Sequence, residues 1–248
     1  MIAPTNSRIS RVQPVFRWLK ANGGDEWPAR LVQLATGAAQ LGDCGQASCV
    51  HLDPEFAVPA TAARLVWMIR NVERLAPRDG RQWEVLRKRV AVAGKGAVQR
   101  TLASLDAGHI EKVPRSLLLE GKTRADCLIE CERAFIWIEG KRYDWLSPFT
   151  TWDVARDQLA RNVEAVWSIA SAAGKDYRLI ICHEHQLKHH EICLVEGYQT
   201  GTWAAGWPHI AEDQRREFAT RIGTVTWGAI AREWPSLRTL PELRDLAR

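Results

Sequence analysis

The sequence predicts a mixed α/β protein in which a helical N-terminal extension, residues 1–80, precedes an α/β domain, residues 81–248. Three observations carry that expectation. The first 80 residues hold apolar side chains at helical spacing, as in Leu65, Met68, Ile69 and Val72. Near residue 113 the texture changes to short apolar runs of strand type, ADCLIEC and AFIWIEG among them. A long amphipathic segment then separates these runs from a further apolar run, YRLIICHE, which is the order of a parallel crossover.

Taken in order, QPVFRWLKANGG reads as a helix stopped by its glycine pair, and WPARLVQLATGAAQLGD and ATAARLVWMIRNVERLAP as two more. A long helix is expected from 81 to about 107, with a weak point at Gly94 and Gly96. VPRSLLLE, ADCLIEC and AFIWIEG follow as strands. Only Glu132 and Arg133 separate the last two, which makes a hairpin natural. In TTWDVARDQLARNVEAVWSIASAAG, Thr150 and Asp153 resemble a capping box. Ala155, Leu159, Val163, Val166 and Ala170 form one stripe, and Gly174 ends the helix. YRLIICHE is a buried strand, AEDQRREFATRI a helix, GTVTWGAIA a strand and PELRDLAR a last short helix.

Composition bounds the class of function. Apolar residues make up 46% of 248, enough for a sizeable core. No apolar stretch approaches the roughly 20 residues that span a bilayer, and MIAPTNSRISRVQPVF has no segment of signal-peptide type, so a soluble cytoplasmic protein without a membrane partner is expected. A net charge of +5 permits a polyanionic partner without requiring one. The six cysteines suit reduced, buried positions; Cys44 and Cys49 lie near His51, but no second pair has zinc-site spacing.

The informative stretch is RADCLIECERAFIWIEGKR, residues 124–142. Buried strands seldom end in charge, yet Asp126 opens one run and Glu139 and Lys141 close the other around Gly140. Residues two apart on a strand share a face, so Glu139 and Lys141 project together. A tight hairpin at 132–133 sets Asp126 opposite Glu139. Two carboxylates so placed repel unless a cation lies between them. Oxygen ligands favour Mg²⁺ or Mn²⁺ over zinc, and Gly140 is positioned to add its carbonyl. Lys141 beside such a metal suits metal-assisted attack of water on a phosphodiester. The plainer alternative is an ion pair at a strand end.

An Asp followed on the next strand by Glu-x-Lys resembles the PD-(D/E)XK nuclease superfamily, the restriction-endonuclease-like fold. The resemblance covers roughly residues 81–185 and implies a core of a helix, a three-stranded antiparallel unit, a crossover helix and a parallel strand. It implies Asp126 and Glu139 as metal ligands, Gly140 as a carbonyl donor and Lys141 as the residue that activates or positions water. Gln158, in DQLARN, matches the glutamine the family often carries at the start of the crossover helix, and Arg161 is a candidate phosphate contact. Ala125 stands where the family has Pro, and Glu84 is the nearest candidate for an additional acid.

Other features point to bland roles. HEHQLKHHE, residues 183–191, reads as a polar loop with some capacity for a transition metal. Most of the twelve Trp lie in core patterns, while Trp203 and Trp207 sit in a glycine-rich loop where they are candidates to face substrate. No G-x-S-x-G and no phosphate-binding G-x-x-x-x-G-K-[ST] loop is present. The expectation is a Mg²⁺-dependent nuclease acting on DNA, an endonuclease, with a homodimer expected where both strands are cut. The alternative is a nucleic-acid-binding or assembly module that keeps the fold without cutting, and RNA or a branched junction is the other substrate class open to the same site.

Overall fold

The computed structural model describes residues 7–35, 44–52, 56–75, 79–142, 146–150, 152–184, 195–198, 200 and 206–243. Its centre is a five-stranded mixed sheet. The strands are β1 (Ala47–Leu52), β4 (Cys127–Cys131), β5 (Ala134–Gly140), β6 (Asp176–His183) and β7 (Ile222–Thr226), in that spatial order. β1 runs antiparallel to β4, and β4 antiparallel to β5. β6 lies parallel to β5, and β7 parallel to β6. A small second sheet pairs β2 (Ala57–Val58) with β3 (Thr123–Arg124).

The expected hairpin has the expected register: Cys127 pairs with Ile138, Leu128 with Trp137 and Ile129 with Ile136. The crossover from β5 to β6 is helix α5 (Gln158–Ala173). Alternation in the strands builds two cores. Ile129, Ile136, Ile138, Ile180 and Cys182 face one side, which is covered by α1 (Gln13–Asn22), α2 (Trp27–Leu34) and α7 (Trp227–Glu233). Leu128, Phe135, Trp137, Leu179 and Ile181 face the other, against Leu159, Val163, Val166 and Ala170 of α5. α6 (Glu212–Thr220) bridges β6 and β7 and adds Phe218 to that second core. A third cluster joins α3 (Ala62–Arg70) to α4 (Gly80–Asp106) through Leu65, Met68, Leu86 and Leu105.

Several elements depart from the sequence reading. Within the first 80 residues, expected as a helical extension, Ala47–Leu52 forms the edge strand of the main sheet. VPRSLLLE is not a strand: Arg115–Leu117 is a short 3-10 turn after Pro114, which has no amide to offer a ladder. The crossover helix starts at Gln158, not near Thr150, because Asp157 caps it by accepting from the Ala160 amide at 2.8 Å. Thr150 and Asp153 close a turn ahead of it, the Thr150 hydroxyl donating to the Asp153 carbonyl at 2.9 Å. GTVTWGAIA divides: the strand stops at Thr226, whose hydroxyl caps α7 through the Ala229 amide at 3.0 Å. The weak point in the long helix is real, since Gly94 has φ 74° and ψ 155° inside α4. Among the described residues, no helix is long and apolar enough to cross a membrane.

Candidate active site

β5 is buried along its whole length and its last residues carry the charge. Phe135, Trp137 and Glu139 share the face that meets α5, so the Glu139 carboxylate points at the first turns of that helix. There Gln158 Nε2 donates to Glu139 Oε1 at 2.8 Å and Asn162 Nδ2 donates to Oε2 at 2.8 Å. Gln158 and Asn162 are four apart and therefore stacked on one helix face. Lys141 Nζ lies 3.0 Å from Glu139 Oε1 and donates to Gln158 Oε1 at 3.3 Å. The Ser147 amide also donates to Gln158 Oε1, at 3.1 Å. Glu139 and Lys141 are 4% and 6% exposed, so their attraction is little screened by solvent.

Asp126 stands one residue ahead of β4, and its Oδ2 accepts the Gly140 amide at 2.9 Å. This side chain takes over the ladder acceptor that the backbone would otherwise supply, which extends the hairpin by one position. Both Asp126 and Glu139 act on Cys182 of β6: burial first, then these two negative charges, push its thiol well above the usual range. Asp126 is thus tied to β5 at Gly140, the residue that follows Glu139.

Gly140 faces the opposite side, toward the N-terminal π-helical stretch Arg8–Val12. A Cβ there would lie 2.2 Å from Val12 Cγ2 and 3.6 Å from Asp126 Oδ2. Its carbonyl accepts from Ser7 Oγ at 2.8 Å. The Lys141 backbone is fixed on both sides, its amide donating to the Cys182 carbonyl at 2.7 Å and its carbonyl accepting from Trp227 Nε1 at 2.9 Å.

The structure thus brings together Asp126, Glu139, Gly140, Lys141 and Gln158. Arg161 does not join them: it stacks on Trp152, 5.3 Å from the ring, with Nε 3.4 Å from Glu120 Oε1. Glu84 is exposed on α4. Trp207, a candidate to face substrate, is instead 2% exposed, and its Nε1 donates to the Ala160 carbonyl at 3.0 Å. Trp203 and residues 185–191 of the His-rich segment lie outside the described residues. Asn162, Ser7 and Trp227 are site residues that the sequence reading misses. For Asn162 a signal exists, a polar residue one turn beyond Gln158 on an otherwise apolar helix face.

A buried ionic network supports α5 from behind. Glu120 meets Arg64 Nε at 2.9 Å and Arg156 Nε at 3.2 Å, and Arg64 Nη2 reaches Asp153 at 2.8 Å. Glu164 takes Arg156 Nη1 at 2.9 Å, His209 Nε2 at 3.0 Å and the Thr61 hydroxyl at 2.5 Å. Burial opposes ionisation of Glu164, but Arg156 and the His209 and Thr61 bonds outweigh it and hold the carboxyl below its usual range. Burial lowers His209, and its bond to Glu164 only partly restores it. His209 also lines a cavity of about 520 Å³ with Trp67, Arg70 and Leu105; none of Asp126, Glu139, Lys141 or Gln158 borders it.

The donor set can be tested against a divalent cation. Mg²⁺ keeps several waters and takes one or two carboxylates, which matches Asp126 and Glu139. Gly140 offers a carbonyl with a second lone pair beyond the one Ser7 uses. Among the described residues no group of three or more His, Cys, Asp or Glu is gathered for a metal, so a zinc-type site is not what these residues build. Glu139 Oε1 already receives Lys141 and Gln158, so a cation there would share or displace one of these donors. No family model matches the chain, and neither the curated proteins nor the solved structures contain a match to it.

Proposed function

We propose that this chain is a metal-dependent nuclease of the restriction-endonuclease-like fold that hydrolyses phosphodiester bonds in DNA, working in the cytoplasm. The observation that carries the reading is the convergence of Asp126, Glu139, Lys141 and Gln158 at the end of β5, with Glu139 gripped at both oxygens. Asp126, Glu139 and the Gly140 carbonyl would hold Mg²⁺ or Mn²⁺. When bound, the cation supplies Lewis acidity to a phosphoryl oxygen and lowers the pKa of coordinated water.

The chain's own residues do the rest. Lys141 holds an ammonium beside Glu139, where it stabilises the negative charge that grows on the phosphoryl oxygens and orients the attacking water. Gln158 bridges Glu139 and Lys141 and so fixes their separation. Asn162 keeps Glu139 from rotating away.

A second reading has its own support. The buried Glu139–Lys141 pair is satisfied as it stands, as expected of a nucleic-acid-binding module that keeps the fold without cutting. The deciding experiment incubates purified protein with supercoiled, linear and single-stranded DNA and with RNA, in Mg²⁺, Mn²⁺ or chelator. Cleavage that needs the cation and is lost in Asp126→Asn supports the nuclease. Cation-independent cleavage, or none with any substrate, rejects it.

A further inference from the structure

We propose that the outward face of α4 is the surface on which a nucleic-acid duplex rests, held through its phosphates. This rests on the nuclease reading and adds where the polyanion docks. α4 (Gly80–Asp106) carries Arg81, Arg87, Lys88, Arg89, Lys95 and Arg100 against only Glu84 and Asp106. Six cations against two anions give +4, and the whole chain, with 34 basic and 29 acidic residues, has +5. α4 therefore carries most of the chain's net positive charge.

That helix is anchored from one side only. Leu86, Thr101 and Leu105 are its buried residues, and Trp83 Nε1 donates inward to the Val72 carbonyl at 3.3 Å. Arg81, Lys88, Arg89, Lys95 and Arg100 are exposed, and among the described residues none of them forms an ion pair. On the same helix Arg87 is paired with Glu73, and so is not counted among the free cations. Arg81 and Lys88 are seven residues apart, two turns along one face, at a spacing of about 10 Å. Lys95 and Arg100 continue the positive charge beyond the Gly94 kink.

Arg81, Lys88 and Arg89 span about 12 Å of the helix before the kink, which matches several phosphates of a duplex, whose charge density is one per about 1.7 Å of axis. Val85 and Val92 are exposed on the same face, at 48% and 76%. No aromatic residue accompanies them outward, since Trp83 faces in and is covered by Arg87 at 4.4 Å. An interfacial membrane helix would present larger apolar anchors, so the duplex is the better fit.

The test measures affinity for a fluorescent 30-bp duplex in chelator, which prevents cutting, across a salt series. Wild type is compared with Lys88→Gln/Arg89→Gln/Lys95→Gln and with an Arg17→Gln/Lys20→Gln control on α1. The triple variant should bind at least tenfold more weakly. Its slope of log affinity against log salt should be shallower by roughly 2.7, which is about 0.9 for each phosphate no longer neutralised. The control should match wild type. Equal affinity and slope in triple variant and wild type overturn this proposal and leave the nuclease reading standing. No duplex binding by wild type overturns both. Binding to phosphatidylserine vesicles that only the triple variant loses, with duplex binding unchanged, overturns the proposal in favour of a membrane surface.

Discussion

Asn162 Nδ2, on a crossover helix whose packing leaves it almost no solvent access, donates at 2.8 Å to Glu139 Oε2, 23 residues away in the chain. The bond joins the crossover helix to the charged end of the central strand. Asn162→Ala should therefore free one carboxylate oxygen and weaken Mn²⁺ binding by about 10- to 100-fold, the usual effect of losing a partner that orients a metal ligand. Titration calorimetry checks it. Unchanged Mn²⁺ affinity would show that Glu139 is not a ligand or needs no orienting.

Lys141→Ala removes the partner of a buried carboxylate, so the melting temperature should fall whether or not the protein is an enzyme. The rate separates the two readings. On protein confirmed folded by circular dichroism, single-turnover cleavage should drop by on the order of 10²-fold or more, with DNA affinity within a small factor of wild type. Lys141→Arg should recover stability more than rate, because a planar guanidinium does not fill the place of a compact ammonium. Near-normal cleavage by Lys141→Ala would sink the mechanism.

Gly140→Ala places a methyl 2.2 Å from Val12 Cγ2. The expected cost is about 1–3 kcal/mol of stability, typical of overpacking. Adding Val12→Ala should restore a good part of it, a coupling that a denaturation double-mutant cycle measures directly. Independent, additive effects would mean the two groups do not meet.

Acid should destabilise the fold in two windows. Burial lowers the pKa of His209, so in the folded state the ring stays neutral where the unfolded chain would protonate it. The unfolded state then binds more protons, and stability falls as pH drops through about 6.5. Glu164 has the opposite charge type and a lowered pKa, and its contribution is present above about 4.5 and is lost as pH falls below that. Denaturation of wild type and His209→Gln between pH 7.5 and 5 checks the first window. The variant should show a flatter pH dependence there, and an unchanged slope would refute the assignment to His209.

The hairpin that frames the site is legible in the sequence because its information is local. Apolar runs with charges only at their ends, joined by two residues, leave one register, and Cys127 pairs with Ile138 as that register demands. Gln158 is legible for a similar reason, standing at the start of a long amphipathic segment. β1 is not. ASCVHL alternates weakly and is a strand only because β4, some eighty residues later, supplies its partner. The same holds for Arg64, Glu120 and Arg156: each looks like a solvated charge until the fold buries them together. The start of α5 is ambiguous in sequence because Thr150 and Asp157 are both sound capping residues, and only tertiary support decides between them; the Tyr198 hydroxyl donates to Asp157 at 2.6 Å.

The bond from Ser7 to the Gly140 carbonyl, and that from Arg11 to the Glu242 carbonyl, have a consequence in time as well as space. A chain is synthesised from its N-terminus, so residues 7–12 emerge long before their partners exist. The Ser7 bond can form once β5 has been made, but the Arg11 anchor of the same segment waits for residue 242. A nascent chain of 190 residues already contains Asp126, Glu139, Lys141 and Gln158 but lacks β7, the Trp227 bond that fixes Lys141 and the anchor for Arg11. Under the proposed function, ribosome-stalled fragments ending before β7 should be inert, because Lys141 then lacks its Trp227 bond and Arg11 its Glu242 anchor.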